Sequence, residues 1–226
     1  MTKSDVDEIL VQLYLRLNGY FTSGFIVHSD DWGQARTEVD CIAVRHPHYR
    51  EPERQIEPSE FLGANDGKID LILCEVKHDP ERISFNETWK NDPSALISIL
   101  RWSGLFPEGK LNSLASDLRP LLLDGVDANS SMKGLVENEV RIRALMCCPL
   151  ANAEDTDHWR LSGSEIISYF RKCFNPEERR DSCSTRYNFQ QWGCTFAPIV
   201  RYIKDSDRMI SSEQSIQDLY GIFDVA

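Results

Sequence analysis

The residues best suited to chemistry in this chain are Asp40, Glu75 and Lys77. Residues 69–77 read IDLILCEVK. The two-residue period of a strand puts Leu71, Leu73, Glu75 and Lys77 on one face and Ile72, Cys74 and Val76 on the other. A carboxylate and an amine therefore emerge side by side at the end of a strand that is apolar on both faces. Charges are costly to bury alone, so such a strand end needs an ion pair, a cleft or a metal. Residues 37–45, TEVDCIAVR, repeat the anomaly, because alternation sets Glu38 and Asp40 on the face of Ile42 and Val44. If the two strands are neighbours, Asp40 and Glu75 converge. With the backbone carbonyl of Val76 they then offer the hard oxygen ligands that Mg²⁺ or Mn²⁺ takes. Lys77 stands beside them, placed to orient an attacking water or to stabilise charge building on a phosphate. The set suits phosphodiester hydrolysis and needs no protein nucleophile.

Each of these residues also has a plain structural use. Glu75 and Lys77 would serve as a solvated strand end, and Asp40 as a buried acid satisfied by Arg36 or Arg45. Glu38 is a secondary candidate ligand. Asp70 falls on the opposite face and starts its strand, and His78 reads as a strand-end residue.

The elements that would position these groups follow from hydrophobic spacing. Val6, Ile9, Leu10, Leu13 and Leu17 recur at helical intervals over 5–18, and Asn18-Gly19 supplies a stop. Strands are predicted at 24–28, 37–45, 69–77 and 140–148. The second and third are apolar on both faces, as interior strands are. Helices are predicted at 93–104, at 111–123 with a break near Pro120, at 162–174, near 188–204 and at 212–223. Residues 46–68 are polar and carry three prolines, too long a connection for an ordinary loop. They read as a surface insertion or as a flap facing the substrate. The pattern is that of an α/β protein, a mixed central sheet flanked by helices. It is read as a single domain over 1–226, with a core over 5–175, the insertion at 46–68 and a helical C-terminal elaboration over 176–226.

Asp40 followed by Glu75-Val76-Lys77 resembles the PD-(D/E)xK motif of the restriction-endonuclease-like nuclease superfamily. Glu8, in the first predicted helix, matches the additional helical acid of its Holliday-junction-resolvase-like branches. The resemblance implies that Asp40 and Glu75 bind Mg²⁺, that Lys77 assists the attacking water and that Glu8 joins the catalytic set. It also implies a core of helix, three-stranded meander, crossing helix and further strand, matching the order above. The implied activity is that of a metal-dependent endonuclease acting on DNA, in genome defence or DNA processing. Two features depart from the pattern: Val39 stands where the motif has Pro, and the gap from Asp40 to Glu75 is long.

Composition bears on partners. The chain of 226 residues carries 25 Lys and Arg against 36 Asp and Glu, a formal net charge of −11. A protein that grips nucleic acid through phosphates shows a basic face. Positive charge must therefore be local, or a protein partner must supply affinity. From 158 to 208 the balance turns basic, and Arg171, Lys172, Arg179, Arg180 and Arg186 are interleaved with Tyr169, Phe174, Tyr187 and Trp192. This is either a basic groove with stacking aromatics or a core with a solvated face. No stretch of 18 apolar residues occurs, and the N-terminal MTKSDVDEIL lacks the blocks of a signal peptide, so a cytoplasmic location is expected. Seven cysteines, an odd number, fit reduced thiols. A zinc site from Cys173, Cys183, Cys194 and His158 is the alternative, though no spacing is CxxC. Two rivals to the enzyme reading remain: a catalytically silent subunit that uses the fold as a scaffold, and an acidic decoy for another protein's nucleic-acid groove.

Overall fold

The computed structural model describes residues 1–51, 56–64, 67–151, 159–178 and 192–223. Helix α1 spans Lys3–Leu17 and is closed by a reciprocal cap, in which Thr2 accepts from the Asp5 amide and Asp5 accepts from the Thr2 amide. Strands β1 (Phe21–His28), β2 (Ala35–Arg45) and β3 (Ile69–Val76) form an antiparallel meander. The chain then crosses one face of the sheet through α2 (Glu87–Asn91), α3 (Pro93–Ser103), α4 (Leu111–Leu118) and α5 (Ala128–Lys133). A short β4 (Leu135–Glu137) leads into β5 (Val140–Cys148), which lies parallel to β3. β6 (Arg160–Ser162) follows, and then α6 (Gly163–Phe174), α7 (Gly193–Asp205) and α8 (Ser212–Ile222). The sheet is six-stranded and mixed, in the order β1-β2-β3-β5-β4, with β6 paired to the far end of β5.

Two apolar layers sandwich the sheet. Cys41, Ala43, Ile72, Cys74, Leu145 and Cys147 point toward α1, α6, α7 and α8. Leu71, Leu73, Ile42, Ile142, Ala144 and Met146 point toward α2, α3 and α4. The face assignment read from the period of β3 therefore holds, and β2 and β3 are interior strands. The C-terminal helices share the core of the first layer through Ile199, Val200, Ile203, Ile216 and Leu219. The break near Pro120 appears as a 3₁₀ turn over Arg119–Leu122. The strands β4 and β6, three residues each, were too short to show a period.

The insertion after β2 is tied to the sheet at the end where β3 begins. Arg45 donates to the Asn18 and Ala64 carbonyls, Arg141 to Gly63 and Arg143 to Leu62. Its described part therefore packs at the end of β3 away from Glu75, not over it as the flap reading held. Asp70 is the hub of this end. It is fully buried and accepts from Arg141, Arg143 and the Tyr20 hydroxyl, and the Arg143 guanidinium lies 4.3 Å from the centre of the Trp159 ring. Asp70 therefore does more than start a strand.

Removing one partner of a buried charge cluster leaves the others unpaired, at a cost of roughly 3–5 kcal/mol. Asp70→Ala is expected to lose stability in that range by urea unfolding. Asp79→Ala, in an exposed pair with Arg82, is expected to change it by less than about 1 kcal/mol. A loss below that level for Asp70→Ala would show that the cluster does not anchor this end.

Candidate active site

β2 and β3 pair regularly as far as Cys41 opposite Cys74 and then separate. The register explains why. On β1, Ser23 faces Ile42 but Phe25 faces Val39, so β2 holds one extra residue in this interval. Such a bulge bends a strand and turns its side chains. Val39 consequently joins Ile42 in the layer beneath α3, and strict alternation fails here. Glu38 does not keep the face of Ile42 as the sequence implied, and it is exposed. Gly24, on β1 opposite the bulge, admits the close approach: a Cβ there would lie 3.2 Å from the Asp40 carbonyl oxygen.

Freed from the ladder, Asp40 turns its carboxylate toward β3 and accepts the Val76 N–H at 2.7 Å on Oδ2. Neither Arg36 nor Arg45 is its partner. Arg36 pairs with Asp30 and Asp92, and Arg45 bonds backbone carbonyls. Glu75 lies one residue beyond the last position at which β3 pairs with β2, while still paired with Met146 on β5. Its Oε1 accepts from Lys77 Nζ at 2.5 Å, while Oε2 is buried with no hydrogen-bond partner among the described residues. The Glu75 carboxylate is 4% exposed and the Lys77 side chain 30%. Glu75 and Lys77 thus form a pair at the surface end of a buried strand, with one carboxylate oxygen unspent.

Charge ties Glu8 to these groups. It projects from α1, half-buried, and no donor among the described residues satisfies it. Burial first, and the charge of Asp40 next, push its pKa up to about 7. The same two causes in the same order push Glu75 up to about 7, against the opposing effect of Lys77. Asp40 is itself raised by burial, with the Val76 N–H and Lys77 pulling it back. Three acids thus sit in one field. Carboxyls whose charged forms are disfavoured by burial and by one another are suited to take up a cation.

A groove of ≈ 700 Å³ opens on this region, lined by Glu8, Gln12, Gly24, Phe25, Glu38, Asp40 and Trp102 among others. Glu75 and Lys77 lie outside its lining, behind Asp40. Among the described residues no three His, Cys, Asp or Glu side chains are gathered as a metal cage. The set that fits a hard divalent ion is smaller: Asp40, Glu75 with its unspent Oε2, and a backbone carbonyl such as that of Val76.

Residues that sequence reasoning passed over also meet nearby. His78 Nδ1 lies 2.8 Å from Asp7, which is fully buried and accepts from the Tyr220 hydroxyl at 2.6 Å. Asp7 is raised by burial and pulled back by both partners. These residues are 71 and 213 positions from Asp7 in sequence, so no local spacing revealed them. The stacked rings of Phe25 and Trp102 were legible only as apolar positions.

The expected basic groove divides differently. Arg171 is spent on the Ile210 carbonyl and the Ser215 hydroxyl, tying α6 to the region of α8, while Lys172 is exposed. Tyr169 and Phe174 are buried, and Trp192 packs against the same core, so these aromatics are core residues. Arg179, Arg180, Arg186 and Tyr187 lie outside the described residues, as do Cys183 and His158 of the zinc alternative. Cys173 is buried and Cys194 exposed. No helix among the described residues is long and apolar enough to cross a membrane. Comparison of the chain with protein-family models, with curated proteins and with solved structures finds no match.

The crowding of acids has a measurable sign. A carboxyl whose pKa rises on folding, from 4.5 to about 7 for Glu8, binds more protons folded than unfolded in that interval. Its stabilising contribution is complete below the lower value and is lost as pH rises through the upper. The wild-type melting temperature is expected to fall between about pH 5 and pH 8, and Glu8→Gln to flatten part of that fall while leaving the acid side unchanged. Superimposable profiles would show that burial and the charge of Asp40 do not raise the Glu8 pKa on folding.

Proposed function

We propose that this protein is a Mg²⁺- or Mn²⁺-dependent nuclease with a restriction-endonuclease-like core, hydrolysing phosphodiester bonds in DNA. The observation that carries the reading is the parting of β2 and β3, which sets Asp40 beside Glu75 and leaves a buried Glu75 oxygen with no donor. The motif resemblance is what favours DNA, and with it a role in defence or DNA processing.

When bound, a divalent ion supplies Lewis acidity toward the phosphodiester and toward water. The protein's own contribution is positioning. Asp40 Oδ2 is held by the Val76 amide, and this directs the rest of the carboxylate toward the groove. Glu75 offers Oε2 without giving up an existing hydrogen bond. Lys77, partly exposed and now paired to Glu75, is the ammonium that stands beside the attacked phosphate and orients water. Glu8, its pKa pushed up to about 7, lines the same groove and is available to hydrogen-bond water or a further ligand.

One observation favours a second reading. The Glu75–Lys77 pair and the Asp40–Val76 bond already satisfy much of the site internally, as a silent subunit that kept the fold for docking would. Plasmid nicking separates the two. Wild-type protein with Mg²⁺ or Mn²⁺ is expected to nick supercoiled DNA. Asp40→Asn, which keeps an acceptor for the Val76 amide, and Lys77→Ala should each reduce the rate about a hundredfold or more with little change in melting temperature. Equal inertness of wild type and variants, together with a co-purifying protein, would establish the scaffold instead.

A further inference from the structure

A second groove opens beside the last turn of α1. It holds ≈ 650 Å³ and is walled largely by rings, among them Phe21 on β1, Tyr49 after β2, and Trp192 and Phe196 at the start of α7. Its charged lining is Arg16 and Glu51. The Tyr49 wall is fixed, because Gly19 has a φ of +88° and a Cβ there would lie 2.5 Å from the ring. Arg16 is held in place without being used. Its guanidinium carbon lies 5.3 Å from the centre of the Trp192 ring and 5.4 Å from that of Phe196. These contacts leave its N–H donors, and no acceptor meets them among the described residues. In a chain with 36 acids to 25 Lys and Arg that is unusual, since Arg36, Arg82, Arg101 and Arg208 each pair with a carboxylate. Glu51 lines the same groove, but it accepts from the Tyr49 hydroxyl at 3.1 Å. Phe21 is 67% exposed, its ring meeting only the edge of His46.

We infer that this groove binds a nucleotide unit, with the phosphate on the N–H fork of Arg16 and the base among the rings. A guanidinium presents a planar set of donors that matches two phosphate oxygens at once. A base has a π-face that aromatic side chains cover whatever its sequence. The lining is mostly apolar and aromatic with a few polar groups, and its volume is within the range of sites that hold small ligands. One cation and one tied acid leave the groove without the repulsion of the carboxylates at Asp40, and no metal ion is needed. Gln12 lines both grooves. Arg16 lies eight residues beyond Glu8 on α1, about 12 Å at 1.5 Å per residue. The same nucleotide chemistry can therefore arrive from two sources, a free mononucleotide or one unit of a strand that continues toward Asp40.

Calorimetry on the full chain in EDTA reads this site apart from any metal chemistry. The probes are thymidine 5′-monophosphate, thymidine, inorganic phosphate and a 5′-phosphorylated oligothymidylate. A phosphorylated probe, mononucleotide or oligonucleotide, is expected to bind at least about tenfold more tightly than thymidine or phosphate alone. Arg16→Gln should weaken that binding about tenfold or more, and Arg16→Lys, which keeps the charge but not the fork, should recover only part of it. Phe21→Ala, at an exposed position, should weaken it about fivefold, with circular dichroism showing each variant folded. Tighter binding of the mononucleotide marks a free ligand, and tighter binding of the oligonucleotide marks a strand; both support the site. The proposal is overturned if neither binds, if folded Arg16→Gln binds as well as wild type, or if phosphate alone binds as tightly as the nucleotides. None of these outcomes involves Asp40 or a divalent ion, so the nuclease reading stands or falls on its own test.

Discussion

The arrangement of the acids depends on one hydrogen bond, from the Val76 amide to Asp40 Oδ2. Along β3 the amides alternate between neighbours, and Lys77 donates to Cys147 on β5, so Val76 faces β2. Had the ladder of β2 and β3 continued past Cys41 and Cys74, a backbone carbonyl would have taken this donor. The extra residue in β2 removes that carbonyl, and an amide left unsatisfied in the interior costs about 1–3 kcal/mol. The Asp40 carboxylate fills the gap. A backbone requirement thus fixes a carboxylate beside Glu75. Only Oδ2 is used in doing so, and Oδ1 takes no hydrogen bond among the described residues.

The two ends of the inner strands treat charge in opposite ways. At the start of β3, Asp70 is surrounded by Arg141, Arg143 and Tyr20, and every side-chain oxygen has a donor. At the far end, some five residues along, the acids outnumber their cations. Lys77 serves Glu75, and no cation among the described residues serves Glu8. Both ends are built on the same strands and buried by the same helical layers, so burial alone does not account for the difference. A fold that satisfies Asp70 so fully and leaves Glu8 and Glu75 pushed up to about 7 carries an electrostatic cost at one end. Costs of this kind cluster at functional sites, where a bound ion relieves them.

Much of this was readable from spacing. The bounds of Val140–Cys148 agree with the apolar run that marked them, Pro93–Ser103 agrees within a residue, and the faces of β3 follow from its period of two. Asp40, Glu75 and Lys77 stood out because charged residues are rare at the ends of strands buried on both faces. The bulge was not readable, since one strand's alternation says nothing of the register opposite, and so Glu38 was assigned to the wrong face. The Asp70 cluster was missed because its arginines lie 71 and 73 residues away on a parallel strand. Tyr169 and Phe174 illustrate the converse. Their neighbours are basic, but helical spacing turns the rings into the core, while Lys172 turns out and Arg171 reaches the Ile210 carbonyl and the Ser215 hydroxyl.

The acidic balance of the chain narrows how it can hold a polyanion at all. With a formal net charge of −11 and a groove whose charged side chains are all carboxylates, long-range forces repel a phosphate backbone. Attraction must then arise at contact distance, where screening matters little and shape matters most. Two short-range contacts are at hand. One, on the nuclease reading, is a divalent cation that Glu75 and Asp40 would hold, presenting positive charge only where the acids converge. The other is the exposed face of Trp102, which is indifferent to charge. The same acidity makes the proposed nuclease reading depend on a cation at contact range rather than on long-range attraction.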